Sequence, residues 1–317
     1  MENKVGSADV RDNGIKKILC LDGGGCRGLF LIKMIERIQE NHPDFIESLD
    51  LIAGTSVGAV VGTALAQKDY EIDEIFSDLK KILKDIFGEK EDINLFRESG
   101  ARYDSTVLRT AMERIFGKRK ILRNCHKKVL ITSTVMDTNS AQIYSSVSTP
   151  AMNIVDALMA STAAPTYFCP VEVNDIKMLD GGLWANNPAI AILKSAHSNL
   201  DNLKLMSIGT GYCNDQFAAI PGNPVLSYLA DLSSTIKNGI NNINMGFHLF
   251  DMITTINSDV THEICRKILG SNAYLRLNPR MDTPIKLDDY DRSLSMLDKV
   301  DVIWNRYNEQ IDLWINN

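Results

Sequence analysis

The stretch from Ile18 to Gln67 restricts the fold more than any other part of this chain. Ile18–Leu21 is a short apolar run that reads as a buried strand, and it ends in Asp22-Gly23-Gly24-Gly25-Cys26-Arg27-Gly28. From Arg27 to Glu40 apolar residues crowd together (Leu29, Phe30, Leu31, Ile32, Met34, Ile35, Ile38), the pattern of a well-buried helix stopped at His42-Pro43. Leu49–Gly54 reads as a second strand and Ala59–Gln67 as a second helix. Strand, helix and strand in this compass form a βαβ unit, so the two strands should lie parallel with a right-handed crossover.

The pattern continues downstream. Val129–Val135 is a β-branched strand, Ile154–Ala163 looks helical, and Val171–Leu179 holds strand-like pieces around a turn at Asn174-Asp175. Lys204–Ile208 is a further strand before Gly209-Thr210-Gly211. Ile72, Ile75, Phe76, Leu79, Ile82, Leu83, Ile86 and Phe87 recur at helical spacing. Their helix should pack on a sheet or cover a site, because its polar face mixes acids and lysines instead of being basic. Residues 225–317 read as mainly helical, with no repeat and no low-complexity linker. The alternation means a layered α/β domain with a more helical C-terminal part.

Gly23, Gly25 and Gly28 fit the spacing G-x-G-x-x-G. A dinucleotide site would also need an acid about 20 residues on, at the end of the second strand. That position holds Gly54-Thr55-Ser56, while Asp50 lies at the opposite, leading end of the run. Gly54-Thr55-Ser56-Val57-Gly58 matches G-x-S-x-G. Between a strand and a helix, this pattern makes a sharp turn that exposes the serine hydroxyl. The plainer alternative is a small-residue helix start with Ser56 as its cap. If the two strands are parallel neighbours, both loops emerge at one sheet edge, where ligands of open α/β sheets bind. Glycines there leave backbone N–H groups uncovered, suited to an oxyanion formed during acyl transfer.

A serine nucleophile needs a base. None of His42, His126, His197, His248 and His262 sits in a catalytic loop signature. The hydrolase order Ser, acid, His would admit His197 or His262, but that fold has several strands before its serine and here at most two precede Ser56. Asp180, at the end of a strand-like segment and followed by Gly181 and Gly182, could take the proton directly. Its reference pKa of about 3.9 is low for this task, and partial desolvation would raise it. An Asp-Gly turn is the alternative.

Lys and Arg number 34 against 40 Asp and Glu, a net charge of −6, which excludes the basic footprint of a nucleic-acid binder. Contact with an anionic membrane would rest on apolar insertion or on the local cluster Lys118, Arg119, Lys120, Arg123, Lys127 and Lys128. The six cysteines form no C-x-x-C pair and read as reduced thiols of a cytosolic protein, with no metal cluster. Residues 1–14 are polar and read as a loose tail. The longest uncharged stretch, Leu51–Gln67, is 17 residues and broken by glycines, so no transmembrane segment is expected. Ile243–Ile256 holds several large apolar residues that could pack in the core, cap a pocket, meet a partner or insert in lipid.

Taken together, Asp22-Gly23-Gly24-Gly25-Cys26-Arg27-Gly28, Gly54-Thr55-Ser56-Val57-Gly58 and Asp180-Gly181-Gly182, in this order, resemble the patatin-like phospholipase family. Ala157–Val171 and Asn186-Asn187-Pro188 also fit, and the resemblance covers roughly residues 16–212. It implies a three-layer α/β/α sandwich with a mostly parallel sheet, like patatin and cytosolic phospholipase A2. The catalytic domain would span 15–212, with a helical part, 213–317, packed on it. The implied activity is hydrolysis of fatty-acyl esters of membrane phospholipids at the bilayer surface, by a cytoplasmic protein without cofactor or metal. Ser56 would be the nucleophile and Asp180 the base of a dyad lacking histidine. Gly23, Gly24, Gly25, Arg27 and Gly28 would form the oxyanion hole, with Arg27 structural or anion-facing. Gly54 and Gly58 would shape the nucleophile turn, and Gly181 and Gly182 would support the acid. Thr166-Tyr167 before Phe168 is a longer step than in many members. An acyltransferase on the same dyad, or an inactive lipid-binding or storage protein, are the alternatives. Some bacterial members resemble effectors switched on by cyclic nucleotides, and residues 213–317 leave room for such an activator and for a homo-oligomer.

Overall fold

The computed structural model describes residues 16–67, 71–88, 101–196, 200–213 and 239–316, with side chains of the last segment given from Phe247 onward except for His248. The stretch read as an N-terminal tail lies outside these residues.

Strand β1 (Lys16–Leu21) pairs in parallel with β2 (Leu51–Thr55), Leu21 opposite Gly54, and helix α1 (Leu29–Asn41) is the crossover. A 3-10 turn, Gly25–Gly28, leads into α1, and Ser56 alone separates β2 from α2 (Val57–Leu65). Both loops therefore leave the same edge of the sheet, as the βαβ pattern requires. Six more strands complete the sheet among the described residues: β3 (Lys128–Val135), β4 (Ser140–Ser145), β5 (Val171–Val173), β6 (Ile176–Asp180), β7 (Leu203–Ile208) and β8 (Tyr274–Leu277). The order is β5-β6-β3-β2-β1-β7-β8, with β4 also on β3. Strands β8, β7, β1, β2 and β3 are parallel; β4 and β6 join β3 antiparallel. The β5–β6 hairpin turns at Asn174 and Asp175, both with positive φ (51° and 63°), the geometry that matches strand twist in a two-residue turn.

Side chains alternate between the two faces. Leu19, Leu21, Ile52, Val129, Ile131 and Ile208 pack with α1, α2, α3 (Ile72–Phe87), α4 (Ser105–Phe116) and α5 (Ile154–Ser161). Ile18, Cys20, Ala53, Leu130, Leu203 and Leu205 pack on the opposite face. There they meet α7 (Ala189–Ser195), which follows the short α6 (Gly182–Ala185), and Cys265 of α8. Helix α8 spans Gly239–Ala273 and is interrupted at Gly270, φ 72°. A final helix, α9 (Lys299–Asn316), returns to α1's side through Ile303, Trp304 and Ile311. The result is the expected three-layer sandwich with a helical C-terminal part. Local signals set several helix ends: the Asp104 carboxylate accepts from Thr106 N–H at α4, Asn153 accepts from Asp156 N–H at α5, and Gly117 (φ 78°) ends α4. No helix of the described residues is long and apolar enough to cross a membrane.

One edge of β3 explains how distant segments meet. Strand β4 occupies one edge along Leu130–Val135. Strand β2 pairs with Lys128–Thr132 and β6 with Ser133–Val135, so both must lie on the other edge. They run towards each other there: Thr55 faces Thr132, and Asp180 faces the next residue, Ser133.

The turn after β2 depends on one glycine. A Cβ at Gly58 would sit 2.2 Å from the Leu21 carbonyl oxygen and 2.6 Å from that of Asp22, both backbone atoms that cannot step aside. Gly58→Ala is expected to destabilise the protein by about 3 kcal/mol, through overpacking of α2 on β1. Urea denaturation checks this; wild-type stability would show that α2 can slide away from β1.

Candidate active site

Ser56 sits at φ 54°, ψ −126°, on the left-handed side of the map that residues with a side chain rarely adopt. Such strain persists only where the surroundings impose it. Here the Ser56 N–H donates to Ser161 Oγ at 2.9 Å. Thr55 Oγ1 donates to the Ala185 carbonyl (2.5 Å) and accepts from Thr132 Oγ1 (2.6 Å). The residue before the turn is thus tied to both β3 and α6, and the hydroxyl of Ser56 is presented at the start of α2.

Asp180 is 1% exposed and ends β6. Its backbone is held on both sides: its N–H donates to the Ala163 carbonyl (2.9 Å) and its own carbonyl accepts from Thr134 Oγ1 (2.8 Å). Oδ1 accepts the Gly182 N–H at 2.7 Å. Oδ2 has no partner of full hydrogen-bond geometry. The Ser56 hydroxyl nevertheless lies close enough to pull the carboxyl's pKa down. Loose alignment of this kind is usual before substrate binds. Burial outweighs both effects and pushes the Asp180 pKa up to about 7.

The glycine loop passes beside Ser56. Gly23 N–H donates to the Asn186 carbonyl (3.1 Å) and Cys26 N–H to the Leu287 carbonyl (2.7 Å). The Gly23 carbonyl accepts from Thr210 Oγ1 at 2.6 Å. No acceptor among the described residues takes the N–H of Gly24 or Gly25. Gly25 has φ 55°, and a Cβ there would lie 2.3 Å from the Leu287 carbonyl oxygen, so the loop's path excludes any larger residue. The expected group of Gly23, Gly24, Gly25, Arg27 and Gly28 is therefore divided. Gly23 spends its N–H on Asn186, and Arg27 N–H and Nε both turn back to the Gly24 carbonyl (3.1 and 3.3 Å). Gly28 abuts Val57. The buried Arg27 guanidinium is depressed by burial and supported by the charge of Asp251 on α8. Gly54 packs under Ala59, and Gly181 against Thr132.

Asp22, which opens the loop, is also buried, but it is met by a cation. Arg276 of β8 donates to Oδ1 (2.7 Å) and Oδ2 (2.6 Å), and Ser258 Oγ of α8 donates to Oδ2 (2.7 Å). This bidentate pair is almost fully buried, with side chains 8% and 2% exposed.

Ser56, Asp180, Gly24 and Gly25 line a groove of about 750 Å³, including its solvent-open mouth. Its walls are apolar, formed by Val60 of α2, Leu79, Ile82 and Ile86 of α3, Met112 of α4 and Phe250 of α8. The amphipathic α3 therefore covers the site. In the Ile243–Ile256 stretch, Phe250 and Thr254 line the groove, Phe247 packs on Tyr167 (ring centroids 4.5 Å apart), and Leu249 and Ile256 face outward. The unusual step at Thr166 is a left-handed residue (φ 72°) whose carbonyl accepts from Arg102 N–H.

None of His42, His126 and His262 lines the groove. His42 meets Asp312 (2.6 Å), His126 meets Glu47 (3.5 Å), and His262 approaches the Tyr274 hydroxyl (3.4 Å). His197 and the side chain of His248 lie outside the described residues. In the basic cluster, Lys118 pairs with Glu113 (3.2 Å) and Lys127 with Glu47 (2.9 Å). Sequence reading did not single out Ser161, Thr210, Asn257, Ser258 or Arg276. Each touches the site through the polar atoms of a single side chain and carries no spacing signal.

The sequence model of the family described as Patatin-like phospholipase matches residues 19–193. The cGAMP-activated phospholipase of Escherichia coli (strain TW11681) is 29% identical over 222 residues, covering 61% of this chain and 62% of that protein. The 85/88 kDa calcium-independent phospholipase A2 of Mus musculus is 27% identical over 320 residues, covering 86% of this chain and 36% of that protein. The matches thus span less than two thirds of the length of these relatives. Among solved structures, VipD from Legionella pneumophila aligns with 90% of this chain and 67% of its own, with 12% identity and a TM-score of 0.39.

The burial of Asp180 has a measurable sign. In the fold its carboxyl keeps its proton up to about 7, whereas the unfolded chain releases it near 3.9. The stability tied to the protonated form is complete below about pH 4 and is lost as pH rises through 7. Asp180→Asn is neutral throughout, so it should melt above wild type at pH 8, by on the order of a few kcal/mol, and no higher at pH 4. Scanning fluorimetry at the two pH values decides; equal melting at both would mean that burial does not tax this carboxylate.

Proposed function

Because this chain belongs to the patatin-like phospholipase family, we propose that it hydrolyses fatty-acyl esters of membrane phospholipids through an acyl-enzyme on Ser56. The observation that carries the reading is that a strained serine, a buried carboxylate, and Gly24 and Gly25, whose N–H groups meet no acceptor among the described residues, line one apolar groove.

The acyl chain lies along α3, with its ester carbonyl at Ser56. Asp180 takes the hydroxyl proton as Ser56 Oγ bonds to the carbonyl carbon. Negative charge moves to the carbonyl oxygen, where the N–H groups of Gly24 and Gly25 receive it. The first turn of α2 adds the positive end of its dipole. Each such N–H donor is worth about 3–4 kcal/mol of barrier. Collapse expels the alcohol, which takes the proton back from Asp180. Water then attacks the acyl-enzyme, losing its proton to Asp180, and Ser56 leaves with that proton as the fatty acid departs. A base of pKa about 7 is well matched to this cycle, since it is partly ionised at neutral pH and can still return the proton.

Gly23, Arg27 and Gly28 hold the loop in shape and do not face the oxyanion. The reading includes a peripheral encounter with the bilayer through the groove mouth. It also includes a small-molecule activator of the cyclic-nucleotide class, on the strength of the description of the E. coli relative.

Lipid analysis of mixed phospholipid vesicles tests the proposal. Wild type should release fatty acid and lysolipid, and Ser56→Ala and Asp180→Asn should each lower the rate by about 10³-fold or more. No substitution among the five histidines should do so. Because ionised Asp180 is the base, the rate should rise with pH to a plateau, with a midpoint near 7. Hydrolysis by Ser56→Ala at the wild-type rate would refute the nucleophile.

A further inference from the structure

Helix α8 grips both loops of the site within one step of its sequence. Asn257 Nδ2 donates to the Gly182 carbonyl (2.5 Å), and Asn257 Oδ1 accepts the Asn186 N–H (2.8 Å). The next residue, Ser258, donates to Asp22 Oδ2 (2.7 Å) and accepts from Asn186 Nδ2 (3.2 Å). These partners sit one bond pattern away from the reacting groups. The Gly182 N–H is the donor that fixes Asp180 Oδ1, and the Asn186 carbonyl holds the Gly23 N–H. One amide and one hydroxyl therefore join the loop of the acid to the loop of the free N–H groups. Both lie beyond the 19–193 family match. Their neighbours Ile256 and Val260 are 53% and 51% exposed and mark the outer face of α8.

We propose that Asn257 and Ser258 are positioning residues for acyl transfer, holding the Asp180 loop and the glycine loop in mutual register so that the seating of α8 sets turnover. The proposal rests on the Ser56–Asp180 reading above. An asparagine suits this place because one planar amide offers a donor and an acceptor at once. Here it satisfies a carbonyl and an N–H four residues apart on the same short segment. Without it, the Asn186 N–H and the Gly182 carbonyl both lose this side-chain partner, and the Gly182 N–H that meets Asp180 loses part of its support. Neither residue lines the groove, so substrate binding should be spared.

The test uses the full chain and p-nitrophenyl butyrate, with kcat and KM measured separately and folding checked by melting curves. Asn257→Ala and Ser258→Ala should each lower kcat by about 10- to 100-fold, the range expected when reacting groups shift by an ångström or less. KM should stay within about twofold. Ser258→Thr, which keeps the hydroxyl, should recover most of the loss. Val260→Ala, on the outer face of α8, should behave as wild type. If Asn257→Ala does not fold, the Ser258→Ala and Ser258→Thr pair decides alone. Wild-type kcat in folded Ser258→Ala, a loss confined to KM, or no recovery in Ser258→Thr overturns the proposal. Full hydrolysis by Ser56→Ala would instead remove the reading beneath it, which keeps the two failures apart.

Discussion

On the edge of β3 left open by β4, strand β2 arrives from one end and β6 from the other. The ladder leaves no residue of β3 between them, since Thr132 pairs with Thr55 and Ser133 with Asp180. The spacing of serine and acid is therefore set by backbone hydrogen bonds and not by the reach of long side chains. It also requires β6 to run antiparallel, because a parallel β6 would carry its C-terminal aspartate away from Ser56. The β5–β6 hairpin and its Asn174-Asp175 turn exist, in this sense, to bring one carboxylate in from the far side.

Two buried aspartates stand close to Ser56 and are treated oppositely. Asp22 receives a two-pronged arginine and a serine hydroxyl. Asp180 receives a single backbone N–H, and its other oxygen has no partner of full hydrogen-bond geometry among the described residues. Removing water from both carboxylates while supplying a cation to only one leaves them in opposite electrostatic settings, and in the proposed mechanism the one without a cation is the base. The groove's apolar walls keep the dielectric around Asp180 low, and in the proposed function they also take the acyl chain.

Much of this could be read from the residues. The β1–α1–β2 unit, the α3 stripe, the Asn174-Asp175 turn and the strands at 129–135 and 204–208 follow from periodicity and turn chemistry. Strand β4 was not legible, because Ser140, Ala141 and Gln142 carry little strand preference. Strand β8 was hidden by its length of four residues directly after a long helix. Its role lies in one long-range pair, Arg276 with Asp22. The glycine loop shows the same boundary. The spacing marks the loop, but which N–H groups stay free depends on the carbonyls of Asn186 and Leu287, which sequence distance conceals.

The Asp22–Arg276 pair spans 254 positions of the chain, and the Ser258–Asp22 bond spans 236. A growing polypeptide makes the glycine loop and Ser56 first, yet Asp22 at the head of that loop lacks its cation until β8 has been synthesised and has docked beside β7. Loops closed over such distances form late in folding, since their entropy must be met before the contact can form. The fold that brings Asp22, Ser258 and Arg276 together is thereby incomplete for nearly all of its synthesis, and the pocket around Ser56 matures only with the last third of the chain.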